Sequence, residues 1–420
     1  MLEFAALADD LTGGLIIASL LESAGLRCPL VTSVEAISAL PNDIEAVVLA
    51  RKIRLVAPEI ARAEAAAAAA AFRQRGARRI YYKYSALFDS TERGNIGPIA
   101  ETLLGATGAA RTIFCPSFVE RDVTVFEGRM FVRGTPLGES LKRFDPVTPM
   151  LNSNLVEVLQ AQSKLKVGLL RRRALAEGEA ALGETPFLIA DAVDEGDIGR
   201  LAALTRDWKL TTGADSLAPA LVRAWRGDRP AEPGSARRLL PAAPGGAVVL
   251  AGSCSGVTLA QLDAFAETRP VWRVDLARDG DDAGLVQRIL DWALPLLSSG
   301  PVAVATSADR VGVEAAQARF GRDGAAARSD GILGTVAGRL MDEGNVRKFV
   351  VAGGETSGAV VSALGVESVQ VSGFDEMEGG YCHQAAPVPL SLVLRAGSFG
   401  GKDFFRSALS RLDEADREGT

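Results

Sequence analysis

A chain of 420 residues is longer than a single hydrophobic core usually serves, so two domains are expected. Its 48% hydrophobic and 23% charged residues are ordinary for a globular protein, and a formal net charge of -6 argues against a broad nucleic-acid-binding surface. The start, MLEFAALADD, brings in acids by Glu3 and lacks the pattern of an export signal, and the apolar stretch 285–297 is broken by Arg288, Asp291 and Pro295. A cytoplasmic protein with neither membrane nor nucleic-acid partner is expected.

In chain order, strand-like apolar runs fall at 4–7, 46–50, 79–82, 112–115, 187–189, 247–251, 302–305, 349–352 and 391–394. Helix-like stretches lie between them, for example at 58–74, 151–162, 283–297 and 331–342. This alternation predicts an α/β fold: two α/β domains with largely parallel sheets and an active-site cleft between the domains. The stretch 225–246 gathers Pro, Gly and Arg without periodicity and is read as the boundary, giving domains 1–235 and 245–420. The segment 117–148 shows little regular pattern and reads as a long functional loop.

The chain has one histidine, His383, which removes mechanisms needing several imidazoles and leaves a Ser-His-Asp triad only through that residue. The four cysteines, Cys28, Cys115, Cys254 and Cys382, are scattered singly, without the spacing of a zinc site or disulfide framework. No metal-ligand set is readable.

Three places in the second half share one form, an apolar strand followed by Ala-Gly and a small or polar residue. They read VVLAGSCSG (248–256), FVVAGGETSG (349–358) and LVLRAGSFGGKD (392–403). Glycine lets backbone approach a ligand, and a following helix offers unpaired N–H groups and a positive dipole end. With hydroxyls at Ser253, Ser255, Thr356, Ser357 and Ser398, the three together suit a polyphosphate. The plainer alternative is that strand–helix turns use Gly, Ser and Thr for capping. None of the turns is GxxxxGK[ST] or GxGxxG, and no HRD-type loop is present.

In the first half, Asp9 and Asp10 end the first strand ahead of Gly13 and Gly14. They can bind polyol hydroxyls or take a proton from one; Asp10 can instead simply cap the helix. Lys52, Arg54 and Lys83 follow at later strand ends and suit a carboxylate, or else they are solvent-facing loop charges. Phe88-Asp89-Ser90 and Gly94-Asn95 add short polar groups fit for a polyol pocket.

The motifs ADDLTG (8–13), FDS…GNIGP (88–98), CPSF (115–118), VTPMLNSNLV (147–156), AGSCSG (251–256), AGGETSGAVV (352–361) and GSFGGKDFF (397–405) resemble, in order and over nearly the whole chain, the four-carbon acid sugar kinases. The resemblance implies an N-terminal domain for the sugar acid, a C-terminal domain for ATP, and γ-phosphoryl transfer with Mg2+ to the terminal hydroxyl of a tetronate or oxo-tetronate. It carries nucleotide contacts onto Ser255, Gly353, Gly354, Glu355, Thr356 and Gly397. Catalytic roles fall to Asp9 and Asp10, and substrate contacts to Arg54, Lys83, Asp89, Gly94 and Asn95. Small departures at Gly14, Asp145 and Ser398 bear on the substrate subgroup. A homo-oligomer is allowed. The rival readings are an NAD-dependent sugar-acid dehydrogenase, which lacks its fingerprint here, and a non-catalytic sugar-acid sensor.

Overall fold

The structure, a computed structural model, describes residues 2–145, 148–227, 240–374, 380–397 and 399–418. Pro146, Val147, Ser398 and residues 228–239 of the expected boundary lie outside the described residues. The chain forms two compact units, Met1–Ala236 and Arg237–Thr420.

In the first unit the sheet runs, edge to edge, Leu30–Val31, Ala46–Ala50, Phe4–Ala8, Arg79–Lys83, Leu210–Gly213, Thr112–Cys115, Phe187–Ala190 and Val167–Leu170. All neighbours are parallel. Strands such as Phe4–Ala8 and Ala46–Ala50 are buried at every position. Helices cover both faces of such a sheet, so its strands read as unbroken apolar runs. The helix Pro58–Gln74 starts with proline, whose missing N–H has no partner there anyway, and buries Ala61, Ala65, Ala68, Ala69 and Phe72 along one stripe. Those alanines leave room for close packing on the helix Ile96–Thr107.

The second unit's sheet runs Val271–Arg273, Val302–Ala305, Gly246–Ala251, Val346–Ala352, Leu390–Arg395, Gly380–Gln384 and Ser368–Val371. The first five are parallel and the last two pair antiparallel. A core of Val249, Ala251, Leu262, Val350, Val393, Phe404 and Phe405 fills one face. The stretch 331–342 proves to be part of a longer helix, Arg310–Glu343, broken at Gly321, whose φ is 69°. The predicted helix at 151–162 starts later, at Leu155, where the Asn154 side chain accepts from Val156 N–H.

The segment 117–148 is more ordered than its sequence suggests. Val123–Phe126, Arg129–Val132 and Thr135–Pro136 form a small antiparallel sheet. Its two hairpins turn at Glu127-Gly128 (φ 48° and 71°) and Arg133-Gly134 (φ 50° and 77°). Two positive φ values in succession make the turn whose twist matches paired strands, and Asn or Asp normally stands first. Glu and Arg in that place hid the hairpins.

Register decides where the sites lie. Ala8 pairs with Ala50 and Lys83, and Lys83 with Gly213, so the loops that follow these strands emerge at one edge. In the second unit Ala251 pairs with Ala305 and Ala352, and Ala352 with Arg395, with the same result. Ligands of open α/β sheets bind at such carboxyl edges.

A left-handed backbone is unfavourable for Arg133 and easier for Asn. Arg133→Asn is therefore expected to stabilise the first unit by about 1 kcal/mol, read as a higher urea midpoint at an unchanged slope. An unchanged or lower midpoint would contradict the turn strain.

Candidate active site

At the first unit's carboxyl edge the two acids of the opening strand share one arginine. Arg54 donates from Nε and Nη2 to the two oxygens of Asp9, at 3.1 and 2.8 Å, and Nη2 also reaches Asp10 Oδ2. Asp9 is only 2% exposed. Asp10 also accepts from Gly13 N–H and caps the helix Leu11–Ser23. The capping alternative is thus real, yet capping occupies only one of its oxygens.

The electrostatics of the two acids differ. Burial raises the Asp9 carboxyl, and Arg54 only partly offsets this. Burial also pushes Asp10 upward, but Arg54 and Lys83 outweigh it and hold Asp10 below the usual carboxylate range. Arg54 loses by burial too, but Asp9 and Asp10 more than compensate and keep its guanidinium charged.

Lys83 ends its strand almost wholly buried; Nζ donates to Tyr84 O at 2.7 Å and lies 3.3 Å from Asp215 Oδ1. Burial raises Asp215, against the pull of Lys83. Burying an ion pair at a strand end is expensive and is commonly kept for function rather than stability. A Cβ at Gly13 would come within 3.1 Å of Asp10 Oδ1 and 3.3 Å of Lys83 Nζ, so these groups close on the glycine pair.

Asp89 follows Phe88, a buried residue held at φ 51°. Strain of this kind persists where surrounding structure over-determines it. Asp89 accepts from Ser85 Oγ at 2.6 Å and pairs with Lys142 Nζ at 2.5 Å. Lys142 also meets Asp145 Oδ2 at 2.7 Å and Thr148 Oγ1 at 3.2 Å.

Gly94 and Asn95 sit against this cluster in a supporting way. A Cβ on Gly94 would be 1.6 Å from Ser90 Oγ, which leaves no room for a side chain. Asn95 Nδ2 donates to the carbonyls of Ile53, Arg54 and Val56 at 2.9, 3.3 and 2.8 Å, fixing the loop that carries Arg54.

Four turns, not three, meet at the second unit's carboxyl edge. Ser255 caps the helix Gly256–Ala266 by accepting from Thr258 N–H at 3.1 Å, and its hydroxyl donates to Gly397 O. Thr258 Oγ1 joins the same carbonyl at 2.8 Å. Gly397 touches Ser253 so closely that a Cβ would lie 1.7 Å from its hydroxyl. Gly353 has φ 134°, open to glycine, and Gly354 and the exposed Glu355 begin the helix Gly354–Ala363. Thr356 Oγ1 donates to Asp330 Oδ1 at 3.0 Å and Ser357 Oγ to Gly353 O at 2.7 Å. These hydroxyls are therefore engaged locally, as are two of the backbone donors: Gly353 N–H donates to Arg395 O at 3.0 Å and Ser255 N–H to Ser253 Oγ at 3.3 Å, while Gly354, Glu355 and Thr356 form the first turn of their helix. The fourth turn, after Val302–Ala305, places Ala308 N–H 3.5 Å from Cys254 Sγ.

Asp215, Lys142, Asp330 and the fourth turn were absent from the sequence reading. The strand Leu210–Gly213, which delivers Asp215, is short and rich in Thr and Gly, but TTGADS repeats the strand-then-acid form of LADD. His383 lies buried in a strand with Nδ1 3.0 Å from Ser391 Oγ, away from the turns. Among the described residues no group of three His, Cys, Asp or Glu side chains is placed to hold a metal, and no helix is long and apolar enough to cross a membrane.

Residues 4–221 match the model of a sugar-binding N-terminal domain, and 248–405 that of a nucleotide-binding C-terminal domain. The chain belongs to the four-carbon acid sugar kinase family, and ATP-dependent phosphorylation of a four-carbon acid sugar is the activity that membership carries. The 3-oxo-tetronate kinase of Pseudomonas fluorescens Pf-5 is 39% identical, over 97% of this chain and 96% of that protein. The 3-oxo-tetronate kinase of Salmonella typhimurium LT2 is 31% identical, over 96% and 98%. A Salmonella typhimurium LT2 crystal structure described as a putative tRNA synthase superposes with a TM-score of 0.84 at 30% identity, covering 97% of this chain and 99% of that one. A Haemophilus influenzae protein gives 0.75 at 28% identity, covering 97% and 100%.

Asp10 ionises more readily in the folded than in the unfolded chain, so its contribution is full above the ordinary value of 3.8 and lost as pH falls through its lower folded value. Asn can still cap, so Asp10→Asn removes mainly the charge. Wild type is expected to lose stability relative to this variant as pH drops below about 4 in urea melts. Parallel pH curves would refute the assignment.

Proposed function

We propose that the chain phosphorylates the terminal hydroxyl of a 3-oxo-tetronate at the expense of ATP, with residues 1–235 holding the sugar acid and 245–420 the nucleotide. The observation that carries the reading is the Asp9–Arg54–Asp10 cluster, with Asp9 buried and Asp10 partly open, at the carboxyl edge of the first unit's parallel sheet. Phosphoryl transfer asks mainly for alignment and charge neutralisation, with little covalent chemistry from the protein.

Asp10, with its side chain 30% exposed against 3% for Asp9, faces the acceptor hydroxyl. The hydroxyl oxygen forms the new bond to the γ-phosphorus as the bond to the β–γ bridging oxygen breaks. The hydroxyl proton passes to the Asp10 carboxylate, and ADP leaves. Asp9 holds Arg54 in place for this. Arg54 and Lys83 supply the positive potential that draws the substrate carboxylate, and Asp89 accepts from its hydroxyls. Gly94 and Asn95 keep the wall and the Arg54 loop in position.

In the second unit the phosphates lie against the N–H groups of Gly354, Glu355 and Thr356 at the helix start and of Gly397, while Ser255 and Gly353, whose own N–H groups are bonded to Ser253 Oγ and Arg395 O, shape the turns. Mg2+ enters on the nucleotide: the described residues offer no three-ligand cage, and this ion is usually held through phosphates and water. It would neutralise phosphate charge there.

An ADP-release assay across 3-oxo-tetronates, threonates and erythronates tests the substrate: turnover fastest on a 3-oxo form is expected, and none on any four-carbon acid would overturn the reading. Asp10→Asn is expected to lower kcat by about 100-fold or more with ADP affinity within about twofold of wild type. Unchanged turnover would remove Asp10 as the proton acceptor. Gly354→Val should crowd the backbone and weaken ADP by about tenfold, seen by calorimetry; normal affinity would refute the phosphate role of that turn.

A further inference from the structure

Two buried residues beneath the last glycine-rich turn have no contact role in the reading above. Arg395 ends the strand Leu390–Arg395, and Gln261 lies on the helix Gly256–Ala266. Each is only 1% exposed. A guanidinium taken out of water is costly unless its donors are met, so its partners identify what it is there to hold.

Arg395 Nη2 donates to Gln261 Oε1, and Nη1 donates to Ala396 O at 3.1 Å and to Phe399 O. Its Cζ lies 4.6 Å from the ring centroid of Phe404 and 5.5 Å from that of Phe405. The bond from Arg395 fixes which end of the Gln261 amide faces the loop. Gln261 Nε2 then spreads its hydrogens over the carbonyls of Phe399, Gly400 and Gly401 at 3.2, 3.1 and 2.9 Å. The carbonyls of Ala396, Phe399, Gly400 and Gly401 are thus all drawn onto one buried pair.

In a trans peptide a carbonyl and the N–H of the next residue point in opposite directions. Drawing those four carbonyls inward therefore turns the N–H groups of Gly397, Gly400, Gly401 and Lys402 away from the pair. Successive N–H groups presented on one side make an anion-binding concavity. The loop has three glycines at 397, 400 and 401, and Gly400 sits at φ 82°, so its own backbone preferences do not choose this orientation.

We infer that Gln261 and Arg395 are positioning residues for the nucleotide, orienting the backbone at 396–397 and 399–401 so that the N–H groups of Gly397, Gly400, Gly401 and Lys402 meet phosphate oxygens. The inference rests on the nucleotide-binding reading of this unit. It predicts a device acting on nucleotide affinity alone, from a layer that touches no phosphate.

Gln261→Glu separates the two jobs of the amide. It keeps an acceptor for Arg395 but has no N–H for the three carbonyls, which a carboxylate would repel. Calorimetry with ADP and steady-state kinetics on the full chain provide the readout. ADP affinity and KM for ATP are expected to worsen by about tenfold or more, with kcat changed less than about threefold and KM for the sugar acid unchanged. The melting temperature is expected to fall, because three carbonyls lose their donor even though Arg395 remains paired, so the affinities are read well below the variant's melting point. ADP affinity equal to wild type would overturn the inference, as would a loss shared equally by ADP and sugar acid. Gln261→Met, similar in size, removes both the three carbonyl bonds and the acceptor for Arg395; if the Glu variant fails to fold, weakened ADP binding with sugar-acid KM unchanged in this variant supports the role of the pair, and wild-type ADP affinity overturns it. Wild-type protein that binds no ADP would overturn the nucleotide reading itself, and the inference with it.

Discussion

One guanidinium holds two consecutive carboxylates, and the first unit's chemistry depends on that grip. Asp9 and Asp10 leave the end of a buried strand, where two unpaired negative charges side by side would be severely unfavourable. Arg54 has the planar fork to satisfy both oxygens of Asp9 while still reaching Asp10. A lysine placed there would be a point charge and could not divide itself in this way. The arginine is in turn held by Asn95, whose amide gathers three carbonyls of its loop. The order of dependence therefore runs from a buried amide, through a loop, to a cation, and only then to the two acids at the sheet's edge.

Much of this was legible in the sequence because parallel sheets advertise themselves. Unbroken apolar runs such as AVVLA and FVVA mark strands covered on both faces, and the carboxyl end of each one names a candidate site position. Asp9, Asp10, Lys83 and the glycine turns were found by that rule alone. What stayed hidden was hidden for local reasons. The strand before Asp215 is only Leu-Thr-Thr-Gly, with too few apolar residues to register. The hairpins at 123–136 turn on Glu-Gly and Arg-Gly, where the expected Asn is missing. Lys142 lies on a short helical turn between them and the next helix, so no strand end points to it.

Partner geometry lay further out of reach. Sequence suggested that Ser255, Thr356 and Ser357 offer hydroxyls to an anion, whereas each is engaged with nearby backbone or Asp330. The capping alternative describes what these side chains do: Ser255 caps a helix, and Thr356 and Ser357 hold the turn that opens another. Asn95, expected at the substrate, also holds the Arg54 loop through its Nδ2. Composition names the residues that gather at a site, but only three-dimensional bonds divide those that touch a ligand from those that aim others.

The division of charge in the first unit follows from what a sugar acid is. Its hydroxyls donate hydrogen bonds and its carboxylate accepts them, so a small polyol acid has two ends of opposite demand. Asp9, Asp10, Asp89, Asp145 and Asp215 outnumber Arg54, Lys83 and Lys142, and every one of those cations is tied to at least one of those acids. An excess of carboxylates repels a simple anion, but it suits a substrate that brings several O–H donors along with its single negative charge. Pairing each cation with an acid also stops the site from accepting any passing anion, because the guest must offer hydroxyls to the acids before the cations gain by turning toward it. Interlocked pairs of this kind are a device by which a site can favour a hydroxylated acid over a plain one.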